Sequence, residues 1–256
     1  GWETVNAYSE VLGPGGVLGR DSQHDAFLTH RLRLALTVLN PTVPESIREE
    51  ALAEITRDRS LMLPVRANQK PKPQPHRKQR DGHRAEWVDA QDEEQFAVVR
   101  YIDLHDSSKN DWLAVSQFWL KGELHTRRAD AVLFVNGIPL VLLEFKGASI
   151  AIEDGYFKNV TDYRDTVPQL FVPNGFIIVS NGSQARVGAT YAGWEHFGDW
   201  KVIDADGNRG VIALDTAIRG TCTKDFLLDI IENFVAYLER PGGMVKSVAR
   251  NHQVLG

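Results

Sequence analysis

Asp130, Glu144 and Lys146 mark the two ends of the stretch RRADAVLFVNGIPLVLLEFKG, residues 127–147, an apolar run interrupted by Asn136-Gly137. Burying a charge is costly without a partner, so a carboxylate and an amine two residues apart at the end of a buried-looking strand need a reason. Residues two apart on a strand point to one face, and Glu144 and Lys146 emerge together beside whatever faces them. An acid two residues before a base is weak evidence alone. This composition yields roughly four such pairs by chance, and Asp162-x-Arg164 and Asp199-x-Lys201 also fit. The strand setting and the second acid upstream single out Glu144-x-Lys146.

The geometry of the hairpin decides whether the two acids meet. With Asn136-Gly137 as a strict two-residue turn, Val135 opposes Ile138 and Asp130 opposes Leu143, which puts Asp130 and Glu144 on opposite faces. A three-residue turn of Asn136, Gly137 and Ile138, with Gly137 or a bulge absorbing the extra residue, brings Asp130 opposite Glu144. The expectation is therefore a three-residue turn. Two bare carboxylates that close would repel or share a proton. Mg²⁺, which takes a few oxygen ligands and keeps waters, removes the conflict. The plain alternative is a structural ion-pair cluster at a strand end.

Other segments must position these residues. After a Gly/Pro-rich opening, Asp21 is a candidate N-cap for HDAFLTHRLRLALTVLN, whose Phe27, Leu28, Leu32, Ala35, Leu36 and Leu39 recur at helical spacing. A second helix starts at Pro44 with Ile47, Ala51, Leu52 and Ile55 inward. From Phe96 the period changes to strands: FAVVRYIDL, WLAVSQFWL, AVLFV, IPLVLLEF and FIIVS. One helix is expected over Ile152 to Thr166 and a last one over Lys224 to Glu239, broken by Pro241-Gly242-Gly243. The result is an α/β fold, a mixed central sheet flanked by helices.

A chain of 256 residues with 43% hydrophobic residues can bury a sizeable core. Its single cysteine, Cys222, excludes an internal disulfide framework and suits a reducing compartment, and it falls at what reads as a helix start, where packing is the ordinary role of a thiol. No long apolar run proposes a membrane span and no leader pattern opens the sequence, so a cytoplasmic protein is expected. The net charge of −5 argues against a surface wrapped wholly in nucleic acid, yet residues 66–84 carry seven Lys/Arg against one acid, a Pro-rich stretch that reads as a solvated loop or a DNA clamp. The histidines form no metal set: His24 and His30 are six apart, and zinc is not expected.

Asp, then Glu-x-Lys, across such a hairpin resembles the active site of the PD-(D/E)xK nuclease superfamily. The surrounding ADAVLFVNGIPLVLLEFKG resembles the nuclease domain of the HsdR subunit of type I restriction enzymes, as do NDWLAVSQF, LFVPNGFIIVSNG, KDFLLDIIENF and KSVARNHQ. The resemblance covers nearly the whole chain. It implies a restriction-endonuclease-like core and Mg²⁺-dependent hydrolysis of double-stranded DNA, Mn²⁺ substituting. Asp130, Glu144 and the carbonyl of Phe145 would hold the metal, and Lys146 would orient water or offset phosphate charge. Ala129 stands where the family places Pro, and Asn159 where its Gln-x-x-x-Tyr motif has Gln, one methylene shorter, while Tyr163 keeps the Tyr. Arg186 is a candidate phosphate contact, although a plain surface arginine is the favoured reading of such a residue. Glu3, Glu10 and Asp25 are available as an additional upstream acid.

The family also implies partners: modification (methyltransferase) and specificity subunits, and ATP for the full-length subunit only. This chain has no GxxxxGK[ST] loop; Gly242-Gly243-Met244-Val245-Lys246-Ser247 has Val where the loop needs Gly. Gln253, in a segment that in the family lies just upstream of the ATPase, is here a tail residue. The expected layout is a single nuclease domain over 1–240, comprising a helical N-terminal region over 1–65, a charged loop over 66–95 and a catalytic core over 96–240, with a tail over 241–256. The competing readings are a catalytically silent DNA-binding or docking module and a repair or stand-alone nuclease of the same superfamily.

Overall fold

In the computed structural model, which describes residues 1–57, 59, 82–240 and 243–255, the chain begins with strand β1 (Glu3–Asn6) and helices α1 (Thr29–Leu39) and α2 (Glu45–Thr56). Strands β2 (Gly82–Val88), β3 (Glu94–Arg100), β4 (Trp112–Lys121), β5 (Thr126–Val135) and β6 (Ile138–Phe145) follow. Helix α3 is one run of three segments: Ile152–Asp154, a π turn over Gly155–Val160, and Thr161–Thr166. Then come β7 (Phe176–Ser180), β8 (Ala185–Ala189), β9 (Gly198–Asp199) and α4 (Ala213–Thr221). Helix α5 (Lys224–Asp229) is extended by a π turn over Ile230–Phe234, and β10 (Val235–Arg240), β11 (Gly243–Val248) and α6 (Asn251–Val254) close the chain.

Seven strands form one mixed sheet in the order β1-β4-β5-β6-β7-β8-β9, with β1 parallel to β4, β6 parallel to β7 and the rest antiparallel. The central place falls to β6, whose IPLVLLEF is buried on both faces up to Phe145, as a nearly unbroken apolar run requires. Alternation sorts its side chains. Val141 and Leu143 join Leu32 and Leu36 of α1, Leu52 and Ile55 of α2, and Leu227 of α5 in one core. Leu142 joins Val132, Phe134, Ile177, Val179 and the α3 residues Ile152, Val160 and Tyr163 in the other.

The turn between β5 and β6 has two residues, not three. Asn136 (φ 54) and Gly137 (φ 77) both take the left-handed backbone of a tight hairpin, and Val135 pairs with Ile138. The extra residue enters further along: Phe134 opposes Pro139, but Leu133 opposes Val141, so Leu140 is a bulge. Its carbonyl accepts from Gly175 N at 2.6 Å and Asn174 Nδ2 at 3.3 Å. Beyond it Ala131 opposes Leu143, and Asp130 falls opposite Glu144. A turn of this kind ordinarily faces water; here Asn136 is fully buried, its Oδ1 accepting from Asp111 N and its Nδ2 donating to Tyr101 O and Asn110 Oδ1. The Gly137 carbonyl accepts from Leu28 N, so the start of α1 is seated on the hairpin.

That seating also corrects the start of α1. Asp21 does not cap it; the helix begins at Thr29 after Leu28. Upstream, Asp25 accepts from Ser22 N and its own N–H returns to Ser22 O, a closed turn that occupies the backbone groups a longer helix would need. The final helix ends at Phe234 rather than Glu239, because VAYLER pairs in register with GMVKSV, from Val235 opposite Val248 to Arg240 opposite Gly243. Helix α4 carries no counterpart in the sequence expectations, and Cys222 lies at its C-terminal end, buried, with its thiol pushed up to about 12 by that burial. The stretch from Gly82, placed in the charged loop, pairs with β3 as a hairpin; residues 66–81 of that loop lie outside the described residues. Within the tail, Asn251 is buried, its Oδ1 accepting from Lys201 N and Val202 N and its Nδ2 donating to Val202 O.

A Cβ on Gly137 would lie 2.4 Å from Leu28 O on a backbone with positive φ. Gly137→Ala should therefore destabilise the fold by about 2 kcal/mol or more, through strain and loss of the α1 seat. A lowered urea midpoint at unchanged slope would confirm this, and an unchanged midpoint would refute it.

Candidate metal centre

Asp130 on β5 and Glu144 on β6 face each other because of the Leu140 bulge, and α3 lies across them. Asp130 Oδ2 accepts from Phe145 N at 2.8 Å, which fixes the carboxylate against the end of β6. Glu144 is 1% exposed; its Oε1 accepts from Lys146 Nζ at 2.9 Å, its Oε2 is buried with no donor among the described residues, and its carboxyl lies against that of Asp130. One ammonium thus faces two carboxylates. The Glu144 carboxyl is pushed up to about 7, first by burial and then by the neighbouring Asp130 charge, with Lys146 working in the other direction.

Gly155 explains how α3 approaches so closely. A Cβ there would lie 2.6 Å from Val179 Cγ1, 3.6 Å from Lys146 Cγ and 3.7 Å from Glu144 Cγ. An isolated glycine inside a helical pattern costs about 1 kcal/mol relative to alanine, so its presence in EDGYFKNV is a sign of close packing legible in the sequence, although no motif points to it. Tyr163, one turn beyond Asn159, is buried and donates from its hydroxyl to Arg128 O at 2.9 Å. Burial and then the Glu144 charge raise its pKa. Among the described residues the Asn159 side chain reaches only the Tyr163 hydroxyl, at 3.5 Å. Arg127 is committed to Asp162.

Arg186 shares the register row of Glu144, across Val179, but it is engaged elsewhere: its Nε is 3.3 Å from Asp199 and its guanidinium lies 4.8 Å from the centre of the Trp194 ring. The upstream acids are also committed. Glu3 pairs with Arg31 at 2.8 Å and Asp25 with Ser22 N. Glu10 takes two bonds from the buried Arg20, which stacks on Phe118. Among the described residues no group of three or more His, Cys, Asp or Glu side chains is placed to hold a metal ion. The donor set at Asp130 and Glu144 is two carboxylates, one with a bare buried oxygen, beside main-chain groups of β6. That set fits a hard divalent cation that completes its shell with water.

A mixed sheet flanked by helices, with paired acids and a lysine at a central hairpin, is a restriction-endonuclease-like α/β fold. The family model described as type I restriction enzyme R protein N terminus matches residues 1–196, and this chain belongs to that family. It is 30% identical over 249 residues to the type I restriction enzyme HindI endonuclease subunit of Haemophilus influenzae, covering 94% of this chain and 23% of that protein. It is 24% identical over 241 residues to the putative type I restriction enzyme MjaIXP endonuclease subunit of Methanocaldococcus jannaschii, covering 85% and 22%. The chain therefore spans about a quarter of the length of these relatives. No helix among the described residues is long and apolar enough to cross a membrane.

Without metal, folded Glu144 holds a proton that the unfolded chain, with a value near 4.5, releases. Its contribution to stability is full below about pH 4.5, falls as the pH rises to about 7 and is flat above, a loss of up to about 3 kcal/mol. Glu144→Gln stays neutral and should flatten that slope and raise the melting temperature at pH 8. Melts from pH 4.5 to 8 in chelator check it; an identical slope in both proteins would show that the carboxyl is not held this way.

Proposed function

We propose that this chain is the Mg²⁺-dependent DNA endonuclease domain of a type I restriction R subunit, hydrolysing phosphodiester bonds of double-stranded DNA. The observation that carries the reading is the buried Glu144 carboxylate, whose Oε2 receives no donor hydrogen bond and which lies against the Asp130 carboxyl. Such an arrangement is unfavourable for the protein alone and becomes favourable with a divalent cation. Asp130, Glu144 and the main-chain carbonyl of Phe145 hold Mg²⁺, with Mn²⁺ an acceptable substitute. When bound, the ion supplies Lewis-acid polarisation of the phosphate and a more acidic water.

The rest is done by the chain. Phe145 N keeps the Asp130 carboxylate aimed. Lys146, anchored on Glu144, carries its charge to the phosphate and orients the attacking water. Tyr163 braces β5 through Arg128 O, with Asn159 behind it, and so keeps Asp130 in place. Arg186 contacts the DNA backbone at the flank once it exchanges Asp199 for phosphate. DNA is the substrate, the modification and specificity subunits are the partners in the complex, and ATP binds the remainder of the full-length subunit. The setting is cytoplasmic.

In the full-length subunit assembled with its partners and ATP, Lys146→Ala should lower the rate of DNA strand cleavage by about 100-fold or more while leaving ATP hydrolysis unchanged. Cleavage at the wild-type rate would show that Lys146 takes no part in the reaction and serves only as the ion-pair partner of Glu144.

A further inference from the structure

Three residues other than glycine have a left-handed backbone among the described residues: Asp92 (φ 64), Gln117 (φ 58) and Asn136 (φ 54). Two are accounted for. Asn136 is in the β5–β6 turn, and Asp92 is in the β2–β3 turn, its N–H bonded to Asp89 O; Asn and Asp are the side chains that tolerate this conformation. Gln117 lies in the middle of β4, where neither reason holds. Pairing runs on both sides of it, Ser116 opposite Ala131 and Phe118 opposite Ala129, with no residue inserted. The position facing Gln117 in that register is Asp130.

One effect of the distortion is packing, because Val115 and Phe118, three residues apart, enter the same core, which unbroken alternation forbids. Glycine would allow this with less strain, so packing accounts for the backbone and leaves the choice of glutamine unexplained. Strained backbone of this kind concentrates at functional sites. Near Asp130 four donors are already committed among the described residues: Phe145 N to Asp130, Lys146 to Glu144, Tyr163 to Arg128 O and Arg127 to Asp162. Gln117 is half-buried, and its carboxamide makes no hydrogen bond among the described residues.

We infer that Gln117 is a positioning residue of the cation site, its carboxamide holding a water on the divalent ion bound by Asp130 and Glu144. The inference rests on the proposed function. Ions such as Mg²⁺ keep several of their waters, and outer partners of a metal site are commonly worth 10- to 100-fold in affinity. The amide is the group that orders such a water without adding charge to a site that already has one carboxylate too many.

The test is calorimetric Mn²⁺ titration of the wild type and of Gln117→Ala, Gln117→Gly, Gln117→Glu and Asp130→Ala, with metal-free melting temperatures in parallel. Gln117→Ala and Gln117→Gly should lose about 10-fold or more in Mn²⁺ affinity. The glycine variant should melt no lower than wild type, since glycine accepts this backbone freely. Gln117→Glu, a third carboxylate, should bind more tightly than wild type. Unchanged affinity in the glycine variant would overturn the inference, as would affinity lost only together with thermal stability. If Asp130→Ala abolishes binding and the Gln117 variants do not, this inference alone fails. If wild type binds no Mn²⁺, the reading of Asp130 and Glu144 fails with it.

Discussion

The register between β5 and β6 beyond the Leu140 bulge is the constraint on which the rest of the site depends. A two-residue turn alone would leave Asp130 and Glu144 on opposite faces, and the single extra residue turns every later side chain of β6 over. Both ends of this register are fixed. At the turn, Asn136 ties the hairpin to Tyr101, Asn110 and Asp111. At the bulge, Gly175 and Asn174 take the carbonyl that the ladder releases. The hairpin is thus a buried clamp, and the helix that begins at Thr29 packs against it.

Given that register, electrostatics follows from counting charges in a place without water. Glu144 is desolvated by β7 and by α3, which Gly155 admits to within contact distance. Lys146 balances one carboxylate, and the second is left over. A protein can answer by protonation, which is what the raised Glu144 carboxyl does near neutral pH, or by a cation. The pairing of acids that costs stability without metal is what would give the site an affinity for the proposed cation. The same logic separates this cluster from the buried Glu10–Arg20 pair, where one guanidinium satisfies both carboxylate oxygens and nothing remains to bind.

Much of this is legible in the chain, and the failures have physical causes. The apolar run with Glu144 and Lys146 at its end places β6 in the centre, and the need for one extra residue follows from the spacing of Asp130 and Glu144. Where that residue enters is not legible: the bulge at Leu140 is stabilised by Gly175 and Asn174, some 35 residues away in the chain. VAYLER could continue a helix or form a strand, and its partner GMVKSV decides it. Asp21 carries a capping residue's chemistry, but Ser22, Asp25 and Arg20 already engage the local backbone. Gln117 gives no signal in sequence, since its left-handed backbone appears only in the fold.

The most direct measurement is the number of protons released when Mn²⁺ binds, from calorimetric titrations at pH 6 in two buffers of different ionisation enthalpy. With Glu144 held at about 7, close to one proton should leave per ion bound, and both the heat and the release should vanish in Glu144→Gln. Binding without proton release, or binding that survives in Glu144→Gln, would contradict the claim that burial holds this carboxyl ready for a metal.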